Sequence, residues 1–515
     1  MQAATFGSAA QNASRALTMR MGDKLQMKNT AISSTASSFM NMTSFTAQKR
    51  DYTSVIPSRA TAIQMSANFN AAKAQAFNRM QAKPVTTPFL GGMTQQSRRF
   101  STKMSATGAD FASRRVAESL IKEPSAAEMA ELNKLPTIEL EDLEQVNYLA
   151  TLGEGWAYPL NRFMNEQELL ESMNMNTITD ANGEKHILSV PIVLAISEAQ
   201  KEALANEKKI ALKFSSLSND VMAVIENPEF FPNRKEEIAT KTFGTWSKNH
   251  QKVAKMQAEG DWLISGEKMH FTQRIKFNDG LDKYRLFPNE IQAIAKERGA
   301  DAVYAFQVRN PLHNGHCLLL KDTREQLIKQ GYKNPLLLLH PLGGWMKDDD
   351  VPLDYRMRQH QALLDDGTLN PEHTILSIWP SPMYYSGPNE VLWHCSSRVQ
   401  CGITHFITGR DPAGVKHPED DDEDLYDPWH GQKLLVSQKE LLSGVDVVPF
   451  KIAAYNFKNK RMEFFGGPDS APKEDFQFSS GSKMRMLAAA GEVQPEGFMS
   501  PNGWKILCEY YQSKK

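Results

Sequence analysis

Between residues 111 and 286, short apolar runs alternate with clusters of polar and turn-forming residues. The apolar runs lie at 187–194, 210–214, 221–225 and 262–264. Short apolar and β-branched runs bounded by turn signals are typical of β-strands. The pattern therefore predicts a mostly β domain. Because this region contains no group of catalytic residue types, we expect it to have a supporting role.

From residue 288 onwards, amphipathic segments alternate with continuous apolar segments. The predicted helices are 290–298, 318–330, 354–364 and 389–401, and the predicted strands are 302–306, 335–339, 373–379 and 404–408. Strands that are apolar throughout are buried on both faces, so this alternation predicts an α/β fold with a parallel sheet between two layers of helices. In such folds ligands bind at the carboxyl ends of the strands.

The first 109 residues show neither pattern and carry a strongly asymmetric charge. They contain 13 Lys and Arg residues but only two acids, Asp23 and Asp51, so their net charge is +11, whereas the whole chain carries −1. A basic, hydroxyl-rich and acid-poor segment is typical of an organelle transit peptide. We predict a disordered leader over residues 1–108 and an organelle-matrix protein; a disordered tail with another role is the alternative. The tetrapeptide Arg98-Arg99-Phe100-Ser101 resembles a mitochondrial processing site, which slightly favours the mitochondrion over the plastid.

Composition sets further bounds. The chain has 515 residues, 41% of them hydrophobic, which is enough for two or three ordinary domains. No window approaches the roughly 18 consecutive apolar residues of a membrane span, and we expect no membrane or nucleic-acid partner. The cysteines show no zinc-binding spacing, so we expect reduced thiols and no protein-bound metal. They are Cys317, Cys395, Cys401 and Cys508.

The strongest chemical pattern is the segment QVRNPLHNGH at 307–316, between a predicted strand and a predicted helix. His313 and His316, three residues apart at a helix start, can point the same way beside free backbone N–H groups and the positive end of the helix dipole. Such helix starts bind anions, most often phosphate. Either histidine alone is more often a helix cap or a surface residue. Packing does not account for so many polar groups in one loop, because buried polar groups need partners.

Two further loops favour anion binding. The segment GRDPAG at 409–414 follows a predicted strand, and Arg410 adds a planar cation to backbone N–H groups left open by small residues. The segment FSSGSKMR at 478–485 places hydroxyls and a glycine before a basic helix start. Alone, the first could be an ordinary turn and the second a capped surface helix. Together with 307–316 they predict a site for two anions, or for one polyanion and a second small anion.

His-x-Gly-His resembles the HxGH motif of nucleotidyltransferases and class I aminoacyl-tRNA synthetases, and the full set of motifs resembles the ATP sulfurylase family. The resemblance implies a β-rich PUA-like domain over 111–286, a Rossmann-like nucleotidyltransferase domain over 287–449 and a small C-terminal subdomain over 450–515. It also implies that ATP and sulfate are converted to adenosine 5′-phosphosulfate and pyrophosphate, the first step of sulfate activation. The motifs, in family order, are QVRNPLHNGH, HPLGGWMKDDDVP, PMYYSGPNE, ITGRDPAG, LYDPWHG, VVPFKIAAYN and SSGSKMR.

The resemblance also assigns roles to residues. Sulfate would be held by Gln307, Arg309 and the backbone of Ala413. Arg309, Asn310, His313 and His316 would be catalytic, the last three contacting the α-phosphate and the departing pyrophosphate. Arg410 and its loop would hold the β- and γ-phosphates, and Ala453 would lie near adenine. The full expected ATP-binding set is Gln307, Val308, Arg309, Asn310, Gly409, Arg410, Asp411, Pro412 and Ala453.

The expected chemistry suits these residue types. Sulfate is already ionised near neutral pH, so the reaction needs alignment and charge stabilisation rather than a base or a covalent nucleophile. Mg²⁺ would arrive bound to the ATP phosphates. The aspartates at 348–350 could approach it through water, although a solvated acidic loop is the simpler interpretation.

The sequence departs from the family pattern at three places. Val308 stands where some members have Thr, Pro412 where others have His, and 479–482 is SSGS instead of ISGT. No GxxxxGK[ST] loop occurs, so the product should not be phosphorylated further by this chain. A homo-oligomer is expected. Two alternatives remain: an HxGH adenylyltransferase with a phosphorylated acceptor, and a non-catalytic binding relative.

Overall fold

The computed structural model describes residues 111–515 except 348–349, 411, 467–469, 479–480 and 515. The predicted leader at 1–108 lies outside these residues. No helix in the described part of the chain is long and apolar enough to cross a membrane.

The first region contains a five-stranded sheet in the order β1-β5-β6-β7-β4 and a separate β2–β3 hairpin. Strand β1 pairs in parallel with β5, and the remaining pairs are antiparallel. The strands are β1 Thr137–Glu139, β2 Thr177–Thr179, β3 Lys185–Ile187, β4 Leu194–Ile196, β5 Lys209–Phe214, β6 Ser218–Pro232 and β7 Trp262–Phe271.

Helices accompany this sheet, although the sequence pattern predicted only strands here. They are α1 Ala126–Leu132, α2 Leu143–Gly153, α3 Glu166–Met175, α4 Glu198–Leu204, α5 Lys235–Phe243 and α6 Gln251–Ala258. The run 187–194, predicted as one strand, contributes only its two ends to strands. Pro191 lies between those ends, and proline has no N–H to donate to a sheet ladder.

The second region contains the predicted parallel sheet, in the order β10-β9-β8-β11-β14. The strands of this sheet are β8 Ala302–Val308, β9 Pro335–Pro341, β10 Thr374–Leu376, β11 His405–Thr408 and β14 Asp446–Pro449. A separate short hairpin is formed by β12 Lys416–His417 and β13 Asp420–Asp424. The helices of this region are α7 Pro288–Glu297, α8 Asn314–Lys329, α9 Leu353–Asp365, α10 Pro388–Val399 and α11 His430–Ser437. Each helix and strand predicted here is present, with ends shifted by a few residues.

The order of the parallel strands determines where a ligand can bind. From β8 the chain adds β9 and β10 on one side and then crosses back to place β11 on the other side of β8. This is the 3-2-1-4-5 order of a Rossmann-like sheet, whose ligand crevice lies where the order reverses. The crevice is therefore expected at the carboxyl ends of β8 and β11, where the segments 307–316 and 409–414 begin.

Alternate residues of β8 and β9 belong to two different hydrophobic cores. Val303, Ala305, Leu336 and Leu338 belong to the larger core, which also contains much of the first region. The alternating partners belong to the core on the opposite face of the sheet; they are Tyr304, Phe306, Leu337 and Leu339. Both faces are buried, as continuous apolar strands require.

The C-terminal residues form a three-stranded antiparallel sheet and two helices. The elements are β15 Ala453–Asn456, β16 Arg461–Phe464, β17 Phe476–Gln477, α12 Gly481–Ala490 and α13 Pro501–Ser513. A small core joins α12 and α13 to the segment before α9, through residues such as Val351, Met484 and Trp504.

Candidate active site

A cavity of about 160 Å³ lies at the point where the strand order reverses. It brings together the carboxyl ends of β8 and β11, as the parallel topology requires. Eight of the predicted site residues line it: Gln307, Val308, Arg309, Asn310, His316, Gly409, Arg410 and Pro412. Arg410 is exposed, so its cation is available at the cavity rim.

Other predicted site residues lie close by without lining this cavity. His313 stacks on His316, with ring centroids 3.8 Å apart. Ala413 is fully buried, and its carbonyl accepts the N–H of Gly387 at 3.1 Å. Ala453 opens β15 and is not part of the lining. Asp411 lies outside the described residues.

Three polar groups of the lining are buried without a hydrogen-bond partner among the described residues. They are Nε2 of Gln307, Nη1 of Arg309 and Oγ1 of Thr408. Because buried polar groups in native proteins nearly always have partners, three such donors around one cavity indicate a ligand that accepts hydrogen bonds. The guanidinium of Arg309 also lies 5.3 Å from the centroid of the Tyr385 ring, within cation–π range.

The two histidines are fixed by the helix start itself. His313 is the N-cap of α8, and its Nδ1 accepts the N–H of Gly315 at 3.1 Å. The N–H of His313 donates to Nδ1 of His316 at 3.3 Å. Since both Nδ1 atoms accept, this hydrogen-bond pattern assigns the proton of each neutral ring to Nε2.

Burial keeps both rings uncharged. It lowers the pKa of His313 to about 4. The pKa of His316 lies well below its usual value, because of burial first and then because of the neighbouring His313 and His360. Near neutral pH the pair therefore supplies two uncharged Nε2–H donors at the positive end of α8.

The loop that carries the histidines is attached to two other elements. Asn314 receives support from the C-terminal segment, because its N–H donates to the Phe498 carbonyl at 2.8 Å and its Nδ2 donates to the Gly497 carbonyl at 2.9 Å. On the other side, the backbone of Leu312 bonds to the side chain of Gln359 in α9.

Sequence analysis did not select two further lining residues, Thr408 and His394. Thr408 ends β11 and was treated as part of an apolar strand. His394 is buried in α10, and its Nε2 lies 3.2 Å from Oε1 of Glu390. Burial lowers the pKa of His394, and Glu390 partly opposes that shift. The i,i+4 spacing of Glu390 and His394, which places both side chains on one face of the helix, was the available signal.

Only part of the third predicted anion loop, 478–485, can be compared with this cavity. Ser479 and Ser480 lie outside the described residues, and the described part of 478–485 is absent from the lining. No Asp or Glu lines the cavity among the residues that the structure describes. Of the acidic loop at 348–350 only Asp350 is described, and its carboxylate accepts the hydroxyl of Tyr385 at 2.9 Å.

The chain is similar to proteins of known families. A family model described as ATP-sulfurylase matches residues 282–510, and a PUA-like domain model matches residues 111–273. The chain is 45% identical to ATP sulfurylase 2 of Arabidopsis thaliana over 385 residues, which cover 75% of this chain and 79% of that protein. It is 46% identical to ATP sulfurylase 4, chloroplastic, of the same plant over 374 residues, which cover 72% and 77% of the two chains.

More distant matches extend the comparison. The chain is 30% identical to the sulfate adenylyltransferase of Carboxydothermus hydrogenoformans over 393 residues, covering 74% of this chain and 97% of that protein. A solved structure titled hexameric APS kinase from Thiobacillus denitrificans shares the fold with a TM-score of 0.56 at 19% identity, covering 76% of this chain and 66% of that chain. By its sequence similarity to these relatives, this chain belongs to the ATP sulfurylase family.

Proposed function

We propose that this chain is a sulfate adenylyltransferase, which joins the adenylyl group of ATP to sulfate and releases pyrophosphate. The observation that carries the proposal is the group of buried, unpartnered donors on Gln307, Arg309 and Thr408, beside two neutral histidines at a helix start. A site rich in hydrogen-bond donors suits two anions that must be held against their mutual repulsion.

The proposed reaction is a displacement at the α-phosphorus. A sulfate oxygen forms the new bond to phosphorus as the bond to the bridging oxygen of pyrophosphate breaks. No proton has to be removed from the nucleophile, since sulfate is fully ionised. The protein therefore aligns the two anions and stabilises the charge that develops on the leaving oxygens.

Arg309 and Gln307 are assigned to sulfate, together with the backbone at Ala413. A planar guanidinium can present two N–H groups to one tetrahedral anion, and that of Arg309 also lies near the Tyr385 ring. Asn310 and the Nε2–H groups of His313 and His316 are assigned to the α-phosphate and the departing pyrophosphate.

The neutrality of the histidines favours catalysis over tight ground-state binding. An uncharged donor binds the resting polyphosphate less tightly than a cation would, so more of its effect is reserved for charge that appears in the transition state. Arg410, exposed at the rim, is assigned to the β- and γ-phosphates. Val308, Gly409, Asp411 and Pro412 complete that assignment, and Ala453 is assigned to the adenine side.

We propose that Mg²⁺ enters with ATP. This ion is usually bound through phosphate oxygens and water rather than by an all-protein site, which supports its entry with the nucleotide. The bound ion would neutralise part of the phosphate charge.

The test is pyrophosphate release from ATP and Mg²⁺ with and without sulfate. We expect strictly sulfate-dependent release. Release that requires a phosphorylated acceptor instead would favour another HxGH adenylyltransferase, and no turnover would favour a binding protein.

Arg309→Lys keeps the positive charge but loses the planar guanidinium with its paired N–H donors. This variant should lower turnover by about 10²–10³. Arg358→Lys, at an exposed arginine paired with Glu509 at 2.5 Å, is the matched control and should be nearly silent.

We propose a plastid location, and this differs from the slight preference for the mitochondrion stated above. That preference depended on four residues, Arg98–Ser101, outside the described part of the chain. A relative named as chloroplastic that is 46% identical supports the plastid. Expression of the complete chain fused to a fluorescent protein would decide between the two organelles.

We also propose the domain boundaries given above, at 286–287 and 449–450, and a homo-oligomeric assembly. The family matches change between residues 273 and 282, which supports the first boundary. Limited proteolysis tests the boundaries. Light scattering tests the assembly.

A further inference from the structure

One buried side chain outside the predicted site is bonded to the backbone of the histidine loop. Gln359 of α9 is 1% exposed. Its Oε1 accepts the N–H of Leu312 at 3.1 Å, and its Nε2 donates to the carbonyl of Leu312 at 2.7 Å. These two bonds fix both peptide groups of the residue that immediately precedes His313.

Gln359 also influences a hydrogen bond of the second histidine, His316. The carbonyl of Leu312 belongs to the same peptide group as the N–H of His313, and that N–H donates to Nδ1 of His316. A donor on the carbonyl side of a peptide group polarises its N–H and strengthens the next hydrogen bond. Gln359 thus acts through one peptide group on the bond that keeps the His316 proton on Nε2.

The Gln359 amide has little freedom to move. Helix α13 passes close to it at Gly503, where an added Cβ would lie 3.0 Å from Nε2 of Gln359 and 3.0 Å from Oγ of Ser500. The amide is therefore held between the C-terminal helix and the histidine loop, which the C-terminal segment also contacts through Asn314.

We propose that Gln359 is a positioning residue for adenylyl transfer, which orients the histidine loop and sets the tautomer of His316 through the Leu312 backbone. The inference rests on the proposed function, because it concerns the same two histidines. Gln359 itself touches no substrate.

The first test replaces the amide by an apolar side chain. Gln359→Leu removes both bonds, and a displacement of reacting groups by about 1 Å can cost about 10²-fold in rate, so we expect kcat to fall by about 10- to 100-fold. The KM values for ATP and sulfate should change by less than about threefold, since uniform ground-state binding is not what is lost.

The second test uses a group whose hydrogen bonding changes with pH. In Gln359→Glu, the neutral acid can reproduce both bonds, whereas the carboxylate can only accept and would face the Leu312 carbonyl. Burial raises the pKa of such a carboxyl, and the cationic Arg356 of the same helix opposes that shift. The nearby titratable groups are His313 and His316 in the loop that Gln359 binds, and His360, the next residue of α9, which lies close enough to His316 to lower its pKa. The hydroxyl of Ser500 lies beside Gly503, as the Gln359 amide does.

Turnover of the Gln359→Glu variant should therefore rise as the pH is lowered from about 8.5 to about 6, with a profile that the unsubstituted protein lacks. His313 stays neutral throughout this range, since its pKa is about 4. Thermal midpoints at each pH show how much protein is folded, and turnover is expressed per folded molecule.

Gln361 provides the matched control. It lies two residues further along α9, where its side chain accepts the hydroxyl of Tyr284 at 2.9 Å and donates to Asp365 at 2.8 Å. Gln361→Leu and Gln361→Glu should leave turnover and its pH profile nearly unchanged. If Gln359→Leu turns over normally, or if the Gln361 variants lose as much, the inference is wrong. Absence of sulfate-dependent turnover in the unsubstituted protein would instead overturn the proposed function.

Discussion

His313 combines a structural and a catalytic task in two different ring nitrogens. Its Nδ1 caps α8 and its Nε2–H is assigned to the phosphates, so substitution can separate the two. Asparagine is among the best N-cap residues, so His313→Asn should keep the thermal midpoint while turnover falls by about 10²–10³. His313→Ala should lose the same activity and also about 1 kcal/mol of stability. Thermal midpoint and turnover measured on both variants check this.

If His313→Asn retained normal turnover, the histidine would be a cap only. This is the alternative that the sequence left open, and the structure shows why the sequence could not settle it. A capping histidine and a catalytic histidine would both stand at the helix start, so the sequence alone does not distinguish them. The hydrogen bonds of the folded loop show that Nδ1 of His313 is occupied, so Nε2 is the nitrogen that could act on a ligand.

At this scale, sequence analysis identified residues that could be recognised by chemistry in a local segment. Gln307, Arg309 and His316 lie within ten residues, and the structure places all three on one cavity. Thr408 and Gln359 are different. Each acquires its place through packing between elements that are distant in the chain, and each has a side chain that is ordinary in a strand or a helix.

At the scale of the element, α8 depends on a glycine for its first turn. An added Cβ on Gly315 would lie 2.9 Å from the His313 ring and 3.1 Å from the terminal methyl of Met462 in β16. Alanine is a better helix former than glycine by about 1 kcal/mol, so Gly315→Ala should favour the helix but displace the His313 ring. We expect turnover to fall clearly while the thermal midpoint changes little.

Lys321→Ala is the control for this prediction, because Lys321 is exposed on the same helix. It should change neither quantity. A Gly315→Ala variant with full turnover would show that the ring can shift without cost, and would weaken the assignment of His313.

Helices and strands were predicted better around the parallel sheet than in the first region, and the difference has a physical reason. In the parallel sheet, helices and continuous apolar strands gave clear periodicities, and each predicted element is present, whereas β14 and α11 were not predicted. In the first region the helices are short, and tertiary packing defines them more than periodicity does. Their caps were nevertheless readable: Ser125, Asn165 and Ser197 each precede Glu or Gln by three residues and form capping boxes.

At the scale of the whole molecule, buried neutral histidines make stability depend on pH. Burial lowers the pKa of His313 to about 4, that of His360 to about 3 and that of His405 to about 4. An unfolded chain binds protons at these sites near pH 6.5, whereas the folded protein resists protonation. Their stabilising contribution is therefore present above pH 6.5 and is lost as the pH falls towards 4.

Each such group should cost about 1.4 kcal/mol at one pH unit below its unfolded pKa, so the free energy of unfolding should fall steeply between about pH 6.5 and 5. Glu154 has the opposite slope, because burial raises its pKa to about 8 and its contribution is lost as the pH rises through 8. The single carboxyl of Glu154 does not cancel the pH dependence that several histidines give to the free energy of unfolding. Urea unfolding at three pH values measures the sum, and a flat profile from about pH 7 to 5 would contradict the neutral state of these rings.

The predicted leader and the first described residues should differ in what they contribute to stability. Residues 1–108 have no periodic apolar pattern, so their removal should leave the thermal midpoint and turnover nearly unchanged. Removal of 1–118 should not be neutral, because it deletes Phe111, which is 1% exposed, and the hydrogen bond from the Ala117 N–H to the Gln400 carbonyl at 2.8 Å. It also deletes Arg114, whose Nη1 donates to the Ser443 carbonyl at 3.0 Å.

Burying one Phe is worth about 1.5–3 kcal/mol, and each hydrogen bond adds roughly 1 kcal/mol. The longer truncation should therefore lower the thermal midpoint by several degrees, whereas the shorter one should not. Both versions are compared by thermal unfolding and by sulfate-dependent pyrophosphate release. If the shorter truncation destabilised the protein as much as the longer one, residues 1–108 would have to contribute to the fold. The interpretation of that segment as a leader would then be wrong, whatever organelle it was assigned to.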